Sequence, residues 1–205
     1  MSHAPVTAVI FDYGKVLSMP PTQAQWDRLA GFFGATQDLF QKQYWGHRDA
    51  YDRDEFRAAG YWRAVAKDNG KDVTDAEVEQ LIEWDNEQWT NLNPEMLELS
   101  RRLRAGGVRT AILSNMQAEM LAYMRRKFGW LDEFEVQMYS CDVGMVKPVR
   151  EIYLKCCAEL GSRPENTLFL DDKMPNIQGA LQAGLQALLF EGNRTEVEEY
   201  LAARV

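Results

Sequence analysis

Histidine and cysteine are scarce in this chain: 205 residues hold two histidines and three cysteines. The cysteines are Cys141, Cys156 and Cys157, and the adjacent pair is badly placed to bridge itself. No Cys or His spacing matches a zinc site, so neither a disulfide scaffold nor a zinc-centred fold is expected. Positive charge is also short. Lys and Arg number 23 against 31 Asp and Glu, a formal net charge of -8. That balance argues against a protein that tracks a nucleic-acid backbone. It leaves room for a small phosphorylated molecule, because one locally positive pocket is enough. No apolar run approaches the ~20 residues of a membrane-crossing helix. The stretch MSHAPVTAVIFD has no basic segment ahead of a long apolar one, so no secretory signal is expected. These absences predict a soluble, cytoplasmic protein with no nucleic-acid or membrane partner.

What is present is ordinary for a globular chain, with 46% hydrophobic and 26% charged residues, which argues against disorder. Strand-like apolar runs recur at 8–11, 108–113, 136–139, 167–170 and 186–190. Between them, residues 94–104, 118–128, 148–160 and 175–183 carry apolar side chains at helical spacing. Alternating strands and helices from residue 94 onward predict an α/β fold, a parallel sheet with helices on both faces. Residues 20–91 break the rhythm. They contain no convincing strand and are crowded with aromatics such as Trp26, Phe33, Tyr44, Trp45, Trp62 and Trp89. The expected organisation is a core made of residues 1–19 and 92–205 and a small helical insert at 20–91 that packs over the sheet. Pro20-Pro21 and residues 91–94 are the expected hinges.

In open parallel sheets, ligands bind beyond the carboxyl ends of the strands. Four predicted strands end in chemistry-bearing residues. The first runs through VIFDYGKVL into Asp12, Gly14 and Lys15, and the second into Ser114-Asn115. Lys147 lies beyond the third, and Asp171-Asp172-Lys173 with Asn176 follow the fourth. Each set alone has a structural explanation as a turn, a helix cap or a solvated lysine. Four sets converging on one sheet edge suit phosphoryl transfer. A carboxylate nucleophile facing an anionic phosphoryl group needs a metal to neutralise charge and donors on the phosphate oxygens. Asp12 with a carboxylate of the fourth strand could hold Mg²⁺ through oxygen ligands. Ser114 could donate to a phosphoryl oxygen, and Lys147 could stabilise developing charge.

The segments FDYGKVL, LSN, VKP and LFLDDKMPNIQGA resemble, in order and spacing, the four motifs of the haloacid dehalogenase-like (HAD) hydrolase superfamily. The resemblance covers essentially the whole chain, including a helical cap inserted after the first motif. It is strongest to a phosphatase-like branch that includes sugar-phosphate phosphatases of the glucose-1-phosphatase type. The resemblance implies a Rossmann-like core of five parallel strands and an Mg²⁺-dependent phosphatase that acts on a small phosphorylated metabolite. It implies Asp12 as nucleophile through an aspartyl-phosphate, Ser114 and Asn115 on the phosphoryl group, and Lys147 bracing it. Asp172 becomes the main acidic metal ligand and the Gly14 carbonyl another. Asp171 is a neighbour able to bind metal or orient a ligand, and Asn176 lies behind them.

Gly14 departs from the pattern. Most phosphatases of the superfamily carry an aspartate two residues after the nucleophile, which protonates the leaving group and then activates water. Three outcomes are open: substrates with good leaving groups, an acid supplied by the cap, or a slow or inactive relative. His47 and Asp54 are the candidate cap acids by residue type. His47 and Arg48 are also the candidate substrate contacts, although Arg48 could instead pair with Asp49 or Asp52. The rivals are a metal-free 2-haloacid dehalogenase, disfavoured by the paired acids, and a non-catalytic binding module on the same fold. A homodimer is compatible with the aromatic-rich insert.

Overall fold

The computed structural model describes residues 4–204. Strand β1 (Ala8–Phe11) is buried along its whole length, as a continuous apolar run in a parallel sheet should be. It lies at the centre of five parallel strands, with β2 (Arg109–Ser114), β3 (Val136–Tyr139), β4 (Thr167–Asp171) and β5 (Gln186–Leu189) in the order β3-β2-β1-β4-β5. Phe11 pairs with Ile112 on one side and with Leu170 on the other. Asp12, Ser114 and Asp171 therefore emerge on one edge of the sheet.

Alternate side chains of the strands face opposite layers. Val9, Phe11, Ile112 and Leu170 pack with α6 (Pro94–Ala105), α7 (Ala118–Lys127) and α11 (Arg194–Ala202). Ile10, Ala111, Leu113 and Phe169 pack with α9 (Arg150–Glu159) and α10 (Met174–Gln182). The strands and helices expected from periodicity are thus present, with ends moved by a residue or two. Helix α9 starts at Arg150 rather than at Pro148, because the segment before it folds into a turn closed by Val149 N–H donating to the Val146 carbonyl. That turn carries Lys147. The short helix α8 (Ser140–Val143) and the C-terminal α11 had no expectation in the sequence.

Between β1 and α6 the chain forms five helices: α1 (Gln23–Phe33), α2 (Gln37–Gly46), α3 (Arg48–Asp52), α4 (Ala58–Asp68) and α5 (Asp75–Gln88). Thr22 with Gln25 and Thr74 with Glu77 form capping boxes that satisfy orphan N–H groups at the starts of α1 and α5. These helices bury an apolar cluster of their own, built on Trp26, Leu29, Phe33, Phe40, Tyr61 and Trp62. The two connectors to the sheet lie side by side. Ser18 bridges Leu92, Met19 N–H donates to the Asn91 carbonyl and Asn93 N–H donates to the Leu17 carbonyl.

Gly179 in α10 marks the closest approach of a helix to the Lys147 turn. A Cβ there would lie 2.7 Å from the Pro148 carbonyl oxygen and 2.8 Å from its Cβ. Gly179→Ala is expected to destabilise the protein by about 1–3 kcal/mol through overpacking. Gly31→Ala in α1, where an added Cβ meets nothing within 4 Å, is expected to stabilise by about 0.5–1 kcal/mol. Urea denaturation of the two variants checks the opposite signs.

Candidate active site

The chain turns sharply after β1. Asp12 accepts the N–H of Tyr13 at 2.7 Å, and Ser18 N–H closes the turn on the Tyr13 carbonyl. Gly14 has φ -63° and ψ 121°, and Lys15 takes a left-handed φ of 58°. The turn places Asp12, Gly14 and Lys15 around the mouth of a cavity of about 220 Å³.

Lys147 reaches into this edge from the other side. Its Nζ lies 2.7 Å from Asp12 Oδ1 and 2.7 Å from Asp171 Oδ2. All three groups are buried. Burial alone would pull the lysine down, but the two carboxylates hold it well above the ordinary lysine range. Burial pushes Asp12 up to about 6; Lys147 opposes this, and the carboxylates of Asp171 and Asp172 add to it.

Asp171 and Asp172 have different surroundings. Asp171 is fully buried and its oxygens are occupied, by Lys147, by the N–H of Lys173 at 2.8 Å and by Asn176 Nδ2 at 3.0 Å. Asp172 lies at the cavity wall with one ion-pair partner, Lys15 Nζ at 3.0 Å. Oxygens of Asp12, Asp171 and Asp172 come within 4.8 Å of one another. Three converging hard oxygen donors suit Mg²⁺. Asp172 is the one with room to give an oxygen to a cation, and Asp171 is committed to Lys147.

Ser114 lines the cavity, and its hydroxyl has only a 3.5 Å contact to the Asn115 carbonyl. It does not cap α7, whose N-cap is Gln117. Asn115 also lines the cavity, but its amide is engaged twice by the Lys147 backbone. Nδ2 donates to the Lys147 carbonyl at 3.0 Å and Oδ1 accepts the Lys147 N–H at 2.8 Å. The visible role of Asn115 is to set the lysine.

The helical insert contributes Trp45, Arg48, Asp52 and Trp89 to the wall. Arg48 is buried. It donates to Asp52 Oδ1 at 3.1 Å, Tyr44 Oη at 2.6 Å, Asp85 Oδ2 at 3.1 Å and Gln117 Oε1 at 3.0 Å. Of the two pairings open from sequence, the structure chooses Asp52 over Asp49 and adds Asp85. His47 is a correction. Its ring lies 2.8 Å from Asp68 and edge-on to Phe56, at the junction of α2 and α3, and does not line the cavity, because the Asp68 carboxylate holds it. Asp54 is a second correction. It lies beyond α3, pairs with Arg57 and does not reach the cavity wall. Asp52, Gln117 and Trp89 are wall residues that no motif singled out.

A family model described as haloacid dehalogenase-like hydrolase matches residues 6–184, and the chain belongs to that family. Protein CbbY of Rhodobacter capsulatus is 27% identical over 176 residues, which cover 78% of this chain and 76% of the relative. Acyl-CoA dehydrogenase family member 10 of Mus musculus is 30% identical over 118 residues, covering 56% of this chain and only 11% of that much longer protein. Among solved structures, a HAD family enzyme of Bacteroides thetaiotaomicron in complex with magnesium and inorganic phosphate superposes with a TM-score of 0.73 at 19% identity, over 94% of this chain and 98% of that chain. An L-2-haloacid dehalogenase superposes with a TM-score of 0.74 at 15% identity, over 97% of this chain and 100% of that chain. At these identities the two structures share the fold with this chain.

Removing Lys147 leaves two buried carboxylates facing each other. Lys147→Met is expected to cost about 3–5 kcal/mol in the metal-free protein at pH 7. The folded variant then binds protons that the unfolded chain releases, so its stability rises as pH is lowered from 7 toward 5. Denaturant midpoints across that range check both the size and the sign.

Proposed function

We propose that this haloacid dehalogenase-like hydrolase is an Mg²⁺-dependent phosphatase that passes the phosphoryl group of a small phosphomonoester, with sugar phosphates in the expected class, to Asp12. One observation carries the reading: the Lys147 ammonium is clamped between Asp12 and Asp171 while Asp172 stands beside them with an oxygen to give. Asp12, Asp172 and the carbonyl of Gly14 would hold Mg²⁺, which when bound offsets the repulsion between the Asp12 carboxylate and an anionic phosphoryl group. Oδ1 of Asp12 takes both the Tyr13 N–H and Lys147, so the carboxylate is oriented before substrate arrives and loses little freedom on reaction. Ser114 Oγ, with no strong partner of its own, donates to a phosphoryl oxygen. Lys147 stabilises charge that develops there from a buried position. Asn115 and Asp171 act through Lys147 by holding its backbone and its ammonium.

The helical insert serves as a cap in this reading, and its wall residues meet the part of the substrate that leaves. A 2-haloacid dehalogenase would use the same strand-end aspartate without metal. The weakly partnered Asp172 carboxylate would then have no task, which favours the phosphatase. The magnesium and phosphate held by the Bacteroides thetaiotaomicron enzyme, a protein of the same fold, point the same way. A cytoplasmic small metabolite is the partner expected for such a site.

Phosphate release from a panel of sugar phosphates, acyl phosphates and p-nitrophenyl phosphate, with Mg²⁺ and with EDTA, tests this. Activity is expected only with the metal. Asp12→Asn is expected to lower turnover by at least about 10³-fold, as loss of a nucleophile does, without lowering the thermal midpoint. Asp172→Asn should shift the Mg²⁺ requirement to higher concentration, and His47→Gln should leave turnover unchanged. Metal-independent chloride release from 2-chloropropionate would instead establish the dehalogenase.

A further inference from the structure

An unactivated phosphate ester needs a proton at its departing oxygen, and Gly14 has no group to deliver one. The space beside Gly14 is bordered by Trp89, whose Cζ3 would lie 3.9 Å from an added Cβ. The proton must come from another part of the wall. Most titratable groups there already have work. Asp12 and Asp172 serve as nucleophile and metal ligand, Lys147 is locked between carboxylates, and Lys15 is paired with Asp172. The Tyr13 hydroxyl donates to the Trp89 carbonyl, and burial pushes it well above the ordinary tyrosine range. Arg48 does not release a proton in proteins.

We infer that Asp52, the last residue of α3, is the general acid that protonates the leaving group and the general base that then activates water. This assignment rests on the phosphatase reading and adds to it a residue outside the four motifs. The geometry supports it in three ways. First, Asp52 is fixed against the loop after β2 that carries Ser114 and Asn115. Its carbonyl accepts from Ser140 Oγ at 2.7 Å, and the same Oγ accepts the Met116 N–H at 2.9 Å. Second, Arg48 joins Asp52 Oδ1 to Gln117 on that loop. Third, Asp52 Oδ2 takes no hydrogen bond from the described residues, and the side chain is 13% exposed where it meets the cavity.

The charges around Asp52 are those of Arg48 and Asp49 on its own helix, Asp85 on α5 and Lys173 beyond β4. Burial pushes the carboxyl up to about 6; Arg48 and Lys173 oppose the rise, and Asp85 and Asp49 add to it. Arg48 is a shared cation. Asp85 receives it together with Tyr44 Oη and Gln88 Nε2, while Asp52 receives only Arg48. A carboxyl poised near neutrality is suited to both halves of an acid/base cycle.

The cycle balances as follows. An Asp12 oxygen forms a bond to phosphorus as the bond from phosphorus to the ester oxygen breaks, and that oxygen leaves as an alcohol with the Asp52 proton. Water then attacks the phosphorus of the aspartyl-phosphate, its proton returns to Asp52, and the Asp12 carboxylate departs with its electron pair. The products are one alcohol and one inorganic phosphate.

The test uses the full chain with Mg²⁺ and two aryl esters, p-nitrophenyl phosphate and phenyl phosphate. The first expels its phenolate without help and the second needs a proton. Asp52→Asn keeps an Oδ1 acceptor for Arg48, and Asp52→Ala is the second variant. Both are expected to lose about 10²–10⁴-fold in kcat/KM on phenyl phosphate and less than tenfold on p-nitrophenyl phosphate. Asp52→Glu should restore part of the phenyl phosphate rate. An equal loss on both esters, or no loss, overturns the acid/base role and leaves Asp52 as a positioning partner of Arg48. A wild-type protein that releases phosphate neither from these esters nor from the sugar and acyl phosphates overturns the phosphatase reading, and the Asp52 assignment with it; if only a sugar phosphate is turned over, an Asp52→Asn variant as fast as wild type on it overturns the assignment alone.

Discussion

A single ammonium group, Lys147 Nζ, sits 2.7 Å from Asp12 on one strand end and 2.7 Å from Asp171 on another. Neither carboxylate is stable at this depth without it, since a buried charge costs several kcal/mol unless it is paired and hydrogen-bonded. The lysine in turn cannot leave, because Asn115 grips its backbone through both ends of an amide. Asn176 completes the arrangement by donating to Asp171. The ends of four strands, β1 to β4, and the start of α10 are thereby tied to one point. The point coincides with the place where strand order changes direction around β1, which is where parallel sheets leave a crevice. The same pairing that makes these charges tolerable holds the Asp12 carboxylate in one orientation.

The helical insert depends on a second buried cation. Arg48 joins α2, α3 and α5 through Tyr44, Asp52 and Asp85, and reaches the loop after β2 through Gln117. Tyr44 Oη also accepts from Trp89 Nε1, so the network extends to the end of α5, next to the paired connectors. An arginine suits this task because its planar fork makes several hydrogen bonds from one rigid group. At the cavity the insert meets the sheet through these polar contacts and through Trp89, which packs in the sheet-side apolar cluster, while the insert's own apolar cluster stays behind them.

Sheet, helix order and the motif residues were legible because they depend on local pattern. The run Val9-Ile10-Phe11 before Asp12 reads as a buried strand ending in a polar group, and β1 is that strand. Strand ends in a parallel sheet converge by geometry, so Asp12, Ser114, Lys147 and Asp172 could be placed together without coordinates. The insert side of the cavity was not legible in this way. His47 and Arg48 are neighbours in sequence, yet one faces Asp68 on the outside and the other the cavity. Only the turn between α2 and α3 decides which. Asp52 was visible as an i,i+4 partner of Arg48, but its isolation from other donors depends on Asp85, 33 residues further along the chain. The division of labour between Asp171 and Asp172 likewise needed the hydrogen-bond inventory, because adjacent carboxylates look alike in a sequence.

On the proposed function an acidic chain takes an anionic substrate, and the charges at the cavity wall bear on how. The whole chain carries a formal charge of -8, yet the wall holds four cations, Lys15, Arg48, Lys147 and Lys173, against three carboxylates, Asp12, Asp52 and Asp172. With Asp171 buried behind the wall against Lys147, the local charges balance, in contrast to the acidic chain as a whole. Field lines concentrate in a cleft with low-dielectric walls, so a phosphoryl group meets the local charge at close range, while the more distant surface acids are screened by salt over about 8–10 Å. Three of the four cations are already paired with carboxylates. Phosphate alone would have to compete with those pairs. A divalent cation at Asp12 and Asp172 would take over part of the negative charge that now engages Lys147 and Lys15, and would leave both ammonium groups freer to face the phosphoryl oxygens. On the proposed function metal and substrate would favour each other's binding, and the ion pair between Lys15 and Asp172 is the contact that would exchange partners.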